Sequence, residues 1–330
     1  MRILDHDAVR RAYPMDRAIG LMAGAMRDYS AGTITQPLRT ILRPASDSAL
    51  LGTMPCHVAG EDGAPRGFGI KAMVLKPDNP ARGLELHLGV VLVFDPDTGS
   101  PLALMNASAV TAVRTAAVSA VATRELARED AGDLAILGSG VQARSHLEAM
   151  SLVRRLHRVR VWSRTPDNAA AFRDWAAGSL GVQVEVAGSV GEALKDADLV
   201  CTTTATRDPL VEAEMLAPGV HVNAVGASFI DCRELSSRAV ASARVFVDSR
   251  ESAGKESLDL RAPRDEGLVG EDHILAELGE VLLGTAEGRT ASDDVTLYKS
   301  LGLAAQDVVS GFAVARRAAE LNLGTEVSIG

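Results

Sequence analysis

Leu134-Ala135-Ile136-Leu137-Gly138-Ser139-Gly140-Val141-Gln142-Ala143 is the stretch on which the fold turns. Four apolar residues run into a glycine, a second glycine follows two positions later, and a helical pattern continues to about Met150. That order predicts a buried strand, a tight turn and a helix start. Gly138 permits the turn, Gly140 lets backbone N–H groups approach a pyrophosphate, and Ala143 lets the helix pack close to the strand. Val141 and Gln142 open the helix, whose N-terminus favours negative charge. A lone glycine pattern of this kind would say little; the strand before it and the helix after it make it a dinucleotide-binding turn.

Downstream, the apolar runs 159–163, 182–186, 199–203, 221–225 and 245–247 are mostly separated by helical stretches. Continuous apolar strands joined by helices read as a parallel, doubly wound sheet, an α/β Rossmann domain. In such a domain the end of the second strand meets the adenosine ribose, and an NAD site places Asp or Glu there. This chain has Val161-Trp162-Ser163-Arg164-Thr165. One guanidinium and two hydroxyls with no carboxylate suit a 2′-phosphate, because Arg pairs with phosphate bidentately. The expected cofactor is NADP(H) in preference to NAD(H), with NAD(H) still admitted.

Upstream, the pattern is α+β. Ile19, Met22, Ala23 and Met26 recur at helical spacing over 16–30, and Gly32 is a stop signal. Strand-like runs follow at 38–42, 49–55, 69–75 and 86–94, separated by turn signals at Pro44, 60–65, 77–80 and 95–99. Short connections between successive strands imply an antiparallel or mixed sheet. One long Ala-rich helix is expected over 108–128, with Val110, Val113, Ala117, Ala120 and Val121 as its apolar stripe. The chain closes on a helical run at 301–321.

Composition narrows the class. The chain has 330 residues, 47% hydrophobic and 23% charged, with a formal net charge of −9. An acidic balance argues against nucleic-acid binding, and no apolar run is long enough to span a bilayer. Charged residues from Arg2 to Arg11 leave no room for a signal-peptide core, so a cytoplasmic location is expected. Three scattered cysteines and seven histidines form neither a disulfide pattern nor a metal-ligand spacing.

Arginines outnumber lysines 29 to five, so the rarer lysines are the more informative residues. Lys71 interrupts the apolar strand Phe68-Gly69-Ile70-Lys71-Ala72-Met73-Val74. An inward lysine there costs desolvation unless it is paired or at work, while an outward-facing position is the plainer alternative. Arg114 on the long helix reads equally well as a solvated residue, and Arg39 is unremarkable by itself. His87 reads as a core or interface histidine, His146 as structural, and Glu251, Lys255 and Glu256 as a solvated charged face.

Ordered motifs then carry a resemblance across nearly the whole chain: QPLRT (36–40), GIKAMVLKPDN (69–79), TAVRTAAVSAVAT (111–123), LGSGVQARSH (137–146), VWSRT (161–165), VNAVGAS (222–228), FVDSRESAGKES (246–257), ILAELGEVLLG (274–284) and VTLYKSLGLAAQD (295–307). With these the sequence resembles the ornithine cyclodeaminase/mu-crystallin family. The resemblance implies a substrate-binding and dimerisation domain over 1–113, with 301–330 packing back on it, and a dinucleotide-binding domain over 114–300. It implies that Arg39, Lys71 and Arg114 gather around a substrate carboxylate. To the cofactor side it adds Thr115, Lys299 and Ser300 beside Gly138, Gly140, Val141, Gln142, Ala143, Ser163, Arg164 and Thr165. It also implies a homodimer.

Three departures separate this chain from the ornithine cyclodeaminase branch. Ala227-Ser228-Phe229 follows the NAVG motif where an Asp is expected, Gly52-Thr53 precedes Met54-Pro55 where a Glu is expected, and the second Rossmann strand ends without an acid. The chain is more similar to the mu-crystallin branch, which implies NADPH-dependent reduction of a cyclic α-imino acid, a ketimine such as pyrroline-2-carboxylate or piperideine-2-carboxylate. Lys71 is then the candidate for supplying or relaying a proton, and Ser228 for hydrogen-bonding the imine nitrogen or an ordered water. Three alternatives stay open: an alanine-type NAD(P)-dependent amino-acid dehydrogenase, a cyclodeaminase with altered polar groups, and a non-catalytic protein that binds NADPH and a small ligand.

Overall fold

A computed structural model describes residues 1–60, 65–79, 82–227 and 231–329. Ser228 and parts of the turns expected at 60–65 and 77–80 lie outside the described residues. The chain divides into two compact units, Met1–Arg114 with Gly302–Gly330, and Thr115–Leu301.

The first unit is built on a mixed sheet. Its strands are β1 (Arg2–Leu4), β2 (Ile34–Thr35), β3 (Thr40–Leu42), β4 (Leu50–Val58), β5 (Gly67–Leu75), β6 (His87–Phe94), β7 (Pro101–Asn106) and, from the chain end, β16 (Thr325–Glu326). They run in the order β16-β1-β7-β6-β5-β4-β2, with β3 also on β4, and among the described strands only the β1–β7 pair is parallel. Helices α1 (His6–Ala12) and α2 (Met15–Ser30) lie between β1 and β2 in the chain, and α11 (Ala304–Glu320) packs on β4 to β7 and on α2. Its buried face carries Val308, Val309, Val314 and Ala318, but also Gln306, Asp307 and Ser310. The opposite face of the sheet is apolar and open: Leu51, Phe68, Val74, Leu88 and Val90 are all exposed. Strand β7 escapes the sequence reading because Pro-Leu-Ala-Leu-Met-Asn has no β-branched residue, and Leu, Ala and Met favour helix. Pairing on both sides, to β1 and β6, overrides that preference.

The long helix α3 spans Ala107–Leu126, and the division between units falls within it. The second unit is an eight-stranded, all-parallel sheet. Its strands are β8 (Asp133–Leu137), β9 (Arg158–Trp162), β10 (Glu185–Val186), β11 (Leu199–Thr202), β12 (His221–Ala224), β13 (Arg244–Val247), β14 (Ile274–Glu277) and β15 (Thr296–Lys299). The order is β10-β9-β8-β11-β12-β15-β13-β14. Helices α4 (Val141–Val153), α5 (Pro166–Leu180), α6 (Val190–Leu194), α7 (Ser237–Ala241), α8 (Arg250–Glu256), α9 (Leu258–Asp265) and α10 (Leu278–Leu282) connect them. This is the doubly wound α/β fold expected from residues 134–143. The strand order reverses between β8 and β11, the switch point where such sheets bind ligands. The expected strand at 182–186 shrinks to β10, because Gly181 ends α5 in a left-handed conformation and the chain re-enters the sheet only at Glu185. Strands β14 (Ile-Leu-Ala-Glu) and β15 (Thr-Leu-Tyr-Lys) stand outside the expected strands, each being a short apolar stretch that ends on a charged residue. No helix among the described residues is long and apolar enough to cross a membrane.

Candidate active site

In the first unit the alternation of β5 turns Lys71 inward, where it is 2% exposed. Its Nζ lies 2.5 Å from Asp307 Oδ2 on the buried face of α11. Arg114, 4% exposed on α3, donates from Nε to Asp307 Oδ1 at 3.0 Å and from Nη1 to Gln306 Oε1 at 2.8 Å. One fully buried carboxylate therefore sits between two buried cations. Arg39 joins them from the loop before β3: its Nη2 donates to the carbonyl of Gly302 at 3.0 Å. Three residues back, Gln36 Oε1 accepts from the N–H of Ala305 at 2.7 Å, so the Gln36–Arg39 motif is tied to the start of α11 at two points. Gly302 is required there. Its φ is +82°, and a Cβ would stand 2.6 Å from Arg114 Nη1.

The electrostatics of this cluster follow from burial and proximity. Burial pulls the Lys71 ammonium down to about 8; Asp307 holds it up, and Arg114 and Arg39 push it lower. Burial alone would raise Asp307, but Arg114 and Lys71 beside it prevail and keep its carboxyl below the usual range. Around this centre, burial pushes the Cys56 thiol up to about 12 and lowers His87, with the Lys71 charge adding to the effect on His87. Tyr13, whose hydroxyl shares a 2.7 Å hydrogen bond with Ser310, is raised by burial. Arg114 is thus no solvated helix residue, and Lys71 is no outward-facing one.

In the second unit, Gly138 follows β8 with φ +113°. A Cβ there would meet Thr203 Oγ1 at 2.6 Å, so only glycine lets the turn lie against the loop after β11. Gly140 is the N-cap of α4 and offers no side-chain cap, which leaves the first amides of the helix to a ligand or solvent. A Cβ on Gly140 would meet nothing within 4 Å. Val141 is exposed and Ala143 is fully buried against the sheet. His146 is buried one turn on: its Nδ1 pairs with the carbonyl of Gln142 at 2.7 Å and its Nε2 with Ser119 Oγ at 2.9 Å. At the end of β9, Ser139 Oγ donates to Ser163 Oγ at 3.0 Å, while Arg164 and Thr165 are exposed. Thr165 is the N-cap of α5, again without a side-chain cap. Thr115 Oγ1 and Ser300 Oγ are buried and lack a hydrogen-bond partner among the described residues. An uncapped helix at a glycine turn and two orphaned hydroxyls fit a dinucleotide.

Lys299 is placed differently from the other residues expected on the cofactor side. It is fully buried, with Nζ donating to Asp259 Oδ2 at 2.7 Å and to the carbonyl of Ala227 at 2.9 Å. Asp259 Oδ1 in turn accepts from the N–H groups of Glu234 and Leu235 at 2.8 and 3.0 Å. Glu234, fully buried, accepts from Thr202 Oγ1 (2.6 Å), Thr204 N (2.6 Å), Thr204 Oγ1 (2.7 Å) and Gly226 N (2.8 Å). These three charged side chains pin the loops that leave β11 and β12. The network has no sequence signature, since Glu234 and Asp259 stand in polar surroundings; sequence reasoning misses Asp307 as well. A signal for Asp307 exists, since it shares the helical face of Leu303, Val314 and Ala318, where an acid has no place unless partnered.

The profile of the ornithine cyclodeaminase/mu-crystallin family matches residues 2–322. The chain belongs to this family. It is 39% identical over 292 residues to the ketimine reductase mu-crystallin of Rattus norvegicus, covering 88% of each chain. It is 35% identical over 328 residues to a Delta(1)-pyrroline-2-carboxylate reductase of Bacillus cereus, covering 99% of each. Among solved structures it is similar to Thermococcus litoralis Delta(1)-pyrroline-2-carboxylate reductase in complex with NADH and L-proline. That match has a TM-score of 0.95 and 35% identity, and covers 99% of this chain and 100% of the other. Family membership thus rests on the whole chain, both units included.

Proposed function

We propose that this family member is an NADPH-dependent oxidoreductase acting on a C=N bond. It would reduce a cyclic α-imino acid, of the pyrroline-2-carboxylate or piperideine-2-carboxylate kind, to the cyclic amino acid. The observation that carries this reading is the charge balance of the buried cluster. Lys71 and Arg114 face one buried carboxylate, Asp307, and so leave one positive charge over among the described residues. A buried excess charge is costly unless a counter-ion arrives, and a small carboxylate supplies it. Arg39, Lys71 and Arg114 then hold the substrate carboxylate, which fixes the imine relative to them.

Reduction of the imine adds a hydride to carbon and a proton to nitrogen. Bound NADPH supplies the hydride. Lys71, held near about 8, is mostly protonated at neutral pH yet acidic enough to give up its proton in the reaction. Preference for NADPH is supported by the end of β9, where exposed Arg164 favours a phosphate and Ser163-Arg164-Thr165 carries no carboxylate for a ribose hydroxyl. A homodimer is supported by the open face of the first sheet. Leu51, Phe68, Val74, Leu88 and Val90 form an apolar surface that a second copy of this chain would cover.

The test is loss of reduced-nicotinamide absorbance with each cyclic imine, NADPH and NADH in parallel, and pyruvate plus ammonia as the competing substrate. Rapid oxidation of NADPH by a cyclic imine is expected. Faster turnover with pyruvate and ammonia, or cofactor binding without turnover on either imine, overturns the reading.

A further inference from the structure

Asp307 touches both buried cations of the cluster. It sits on α11, one side of the cluster, and is fully buried. Its two oxygens reach different cations: Oδ1 accepts from Arg114 Nε at 3.0 Å, and Oδ2 lies 2.5 Å from Lys71 Nζ. Gln306, the preceding residue, takes Arg114 Nη1 at 2.8 Å, so two of the three guanidinium nitrogens are committed to α11. The amide of Gln306 is oriented by its Nε2, which faces Met26 Sδ at 3.3 Å. The Arg114 Nε contact is a well-formed charge-assisted hydrogen bond. The Lys71 contact is a close buried ion pair in which the ammonium gives one N–H to Oδ2. Its other two N–H groups can turn toward a further acceptor.

We propose that Asp307 is the positioning residue of this site: it fixes the Arg114 guanidinium through one oxygen and, through the other, keeps the Lys71 ammonium charged until the imine takes its proton. This deepens the reductase reading and rests on it. Among the described residues, Asp307 from α11 is the anion that favours the charged form of Lys71. Arg114 from α3 and Arg39 from the loop before β3 disfavour it. His87 on β6 is itself lowered by burial and by Lys71, so it stays neutral and adds no charge. Cys56 on β4 is pushed up to about 12 and Tyr13 is raised further, so both remain protonated. Removing the Asp307 charge leaves the ammonium with two cationic neighbours and, among the described residues, no counter-ion.

With only five lysines in the chain, 13C-labelling at lysine Cε makes the titration of Lys71 directly observable by NMR, with Lys71→Arg to assign the signal by its loss. In the wild type the signal is expected to titrate near about 8. In Asp307→Asn the midpoint is expected to fall by one pH unit or more, and the alkaline limb of kcat/KM for the cyclic imine to move down with it. A one-unit fall leaves under a tenth of Lys71 protonated at pH 8, roughly a fivefold loss of kcat/KM there. Asp307→Glu, which restores the charge, is expected to recover part of both shifts. Should the Asn variant not fold, Asp307→Ser carries the same readouts. A Lys71 midpoint unchanged in the neutral variants overturns the inference even if the wild type reduces cyclic imines. A midpoint that moves in a protein inert toward every imine upholds the Asp307–Lys71 coupling and overturns the reductase reading instead.

Discussion

Lys299→Met separates two ways in which a lysine of the cofactor unit can matter. The substitution keeps the length and most of the volume of the side chain, and volume-conserving swaps usually cost less than about 1.5 kcal/mol by themselves. The decisive contribution is electrostatic. Lys299 and Asp259 form an ion pair with both side chains fully buried. Without Nζ, Asp259 keeps its charge and its two backbone donors on Oδ1, but Oδ2 is left without the ammonium. Breaking one side of a buried pair costs about 3–5 kcal/mol. In a domain the size of Thr115–Leu301, each kcal/mol moves Tm by about 2–4 °C, so the expected fall is about 6–20 °C. The double variant Lys299→Met/Asp259→Asn removes the orphaned charge while an amide oxygen still accepts from Glu234 and Leu235, and it is expected to regain more than half of the loss. Thermal melts of the three proteins by circular dichroism, together with NADPH titrations, provide the check. A single variant that melts within about 2 °C of the wild type but binds NADPH much more weakly refutes the reasoning. Lys299 would then act on the ligand rather than on the loop through Ala227.

Three further outcomes follow from other parts of the molecule. Arg164→Ala is expected to raise KM for NADPH about ten- to a hundredfold, the range of a charge-assisted hydrogen bond, and to leave KM for NADH unchanged; equal weakening of both would remove the 2′-phosphate assignment. Phe68→Glu combined with Val90→Glu places charges on the open sheet face, and sedimentation velocity should show a wild-type dimer become a monomer; a wild type that sediments as a monomer contradicts the dimer. His146 is lowered by burial to about 4 from an ordinary 6.5, so between those values the unfolded chain takes up a proton that the folded one refuses. Stability is therefore lost as pH falls through this window, on the order of 3 kcal/mol from this residue. His146→Gln should flatten that acid limb in urea melts at stepped pH, and an unchanged slope would assign it to other groups.

The readable and unreadable parts of this protein differ by the range of the interactions that create them. The turn at Gly138 is legible because its causes are local: a strand, a residue that must adopt φ +113° and a helix start lie close together in the chain. The same holds for α2, α3 and the apolar runs of the second unit that turn up as strands. β7 is not legible, because its residues prefer helix and its strand state comes from partners in β1, at the far end of the unit's sequence, and in β6. The candidate site divides along the same line. Lys71 stands out because a lysine in an apolar strand is locally anomalous. Arg39 and Arg114 are singled out through the family resemblance, and their geometry depends on a carbonyl and a carboxylate near the end of the chain, at Gly302 and Asp307. Asp307 is the hardest to see: in a helix that also carries Arg316, Arg317 and Glu320, one more charge stands out only when the face of Leu303, Val314 and Ala318 is traced, the face α11 lays on β4 to β7. Its burial is what makes the cluster chemically meaningful. An inward lysine alone would shed its proton to escape desolvation, and two inward cations alone would repel each other; the aspartate between them allows both to stay buried and charged.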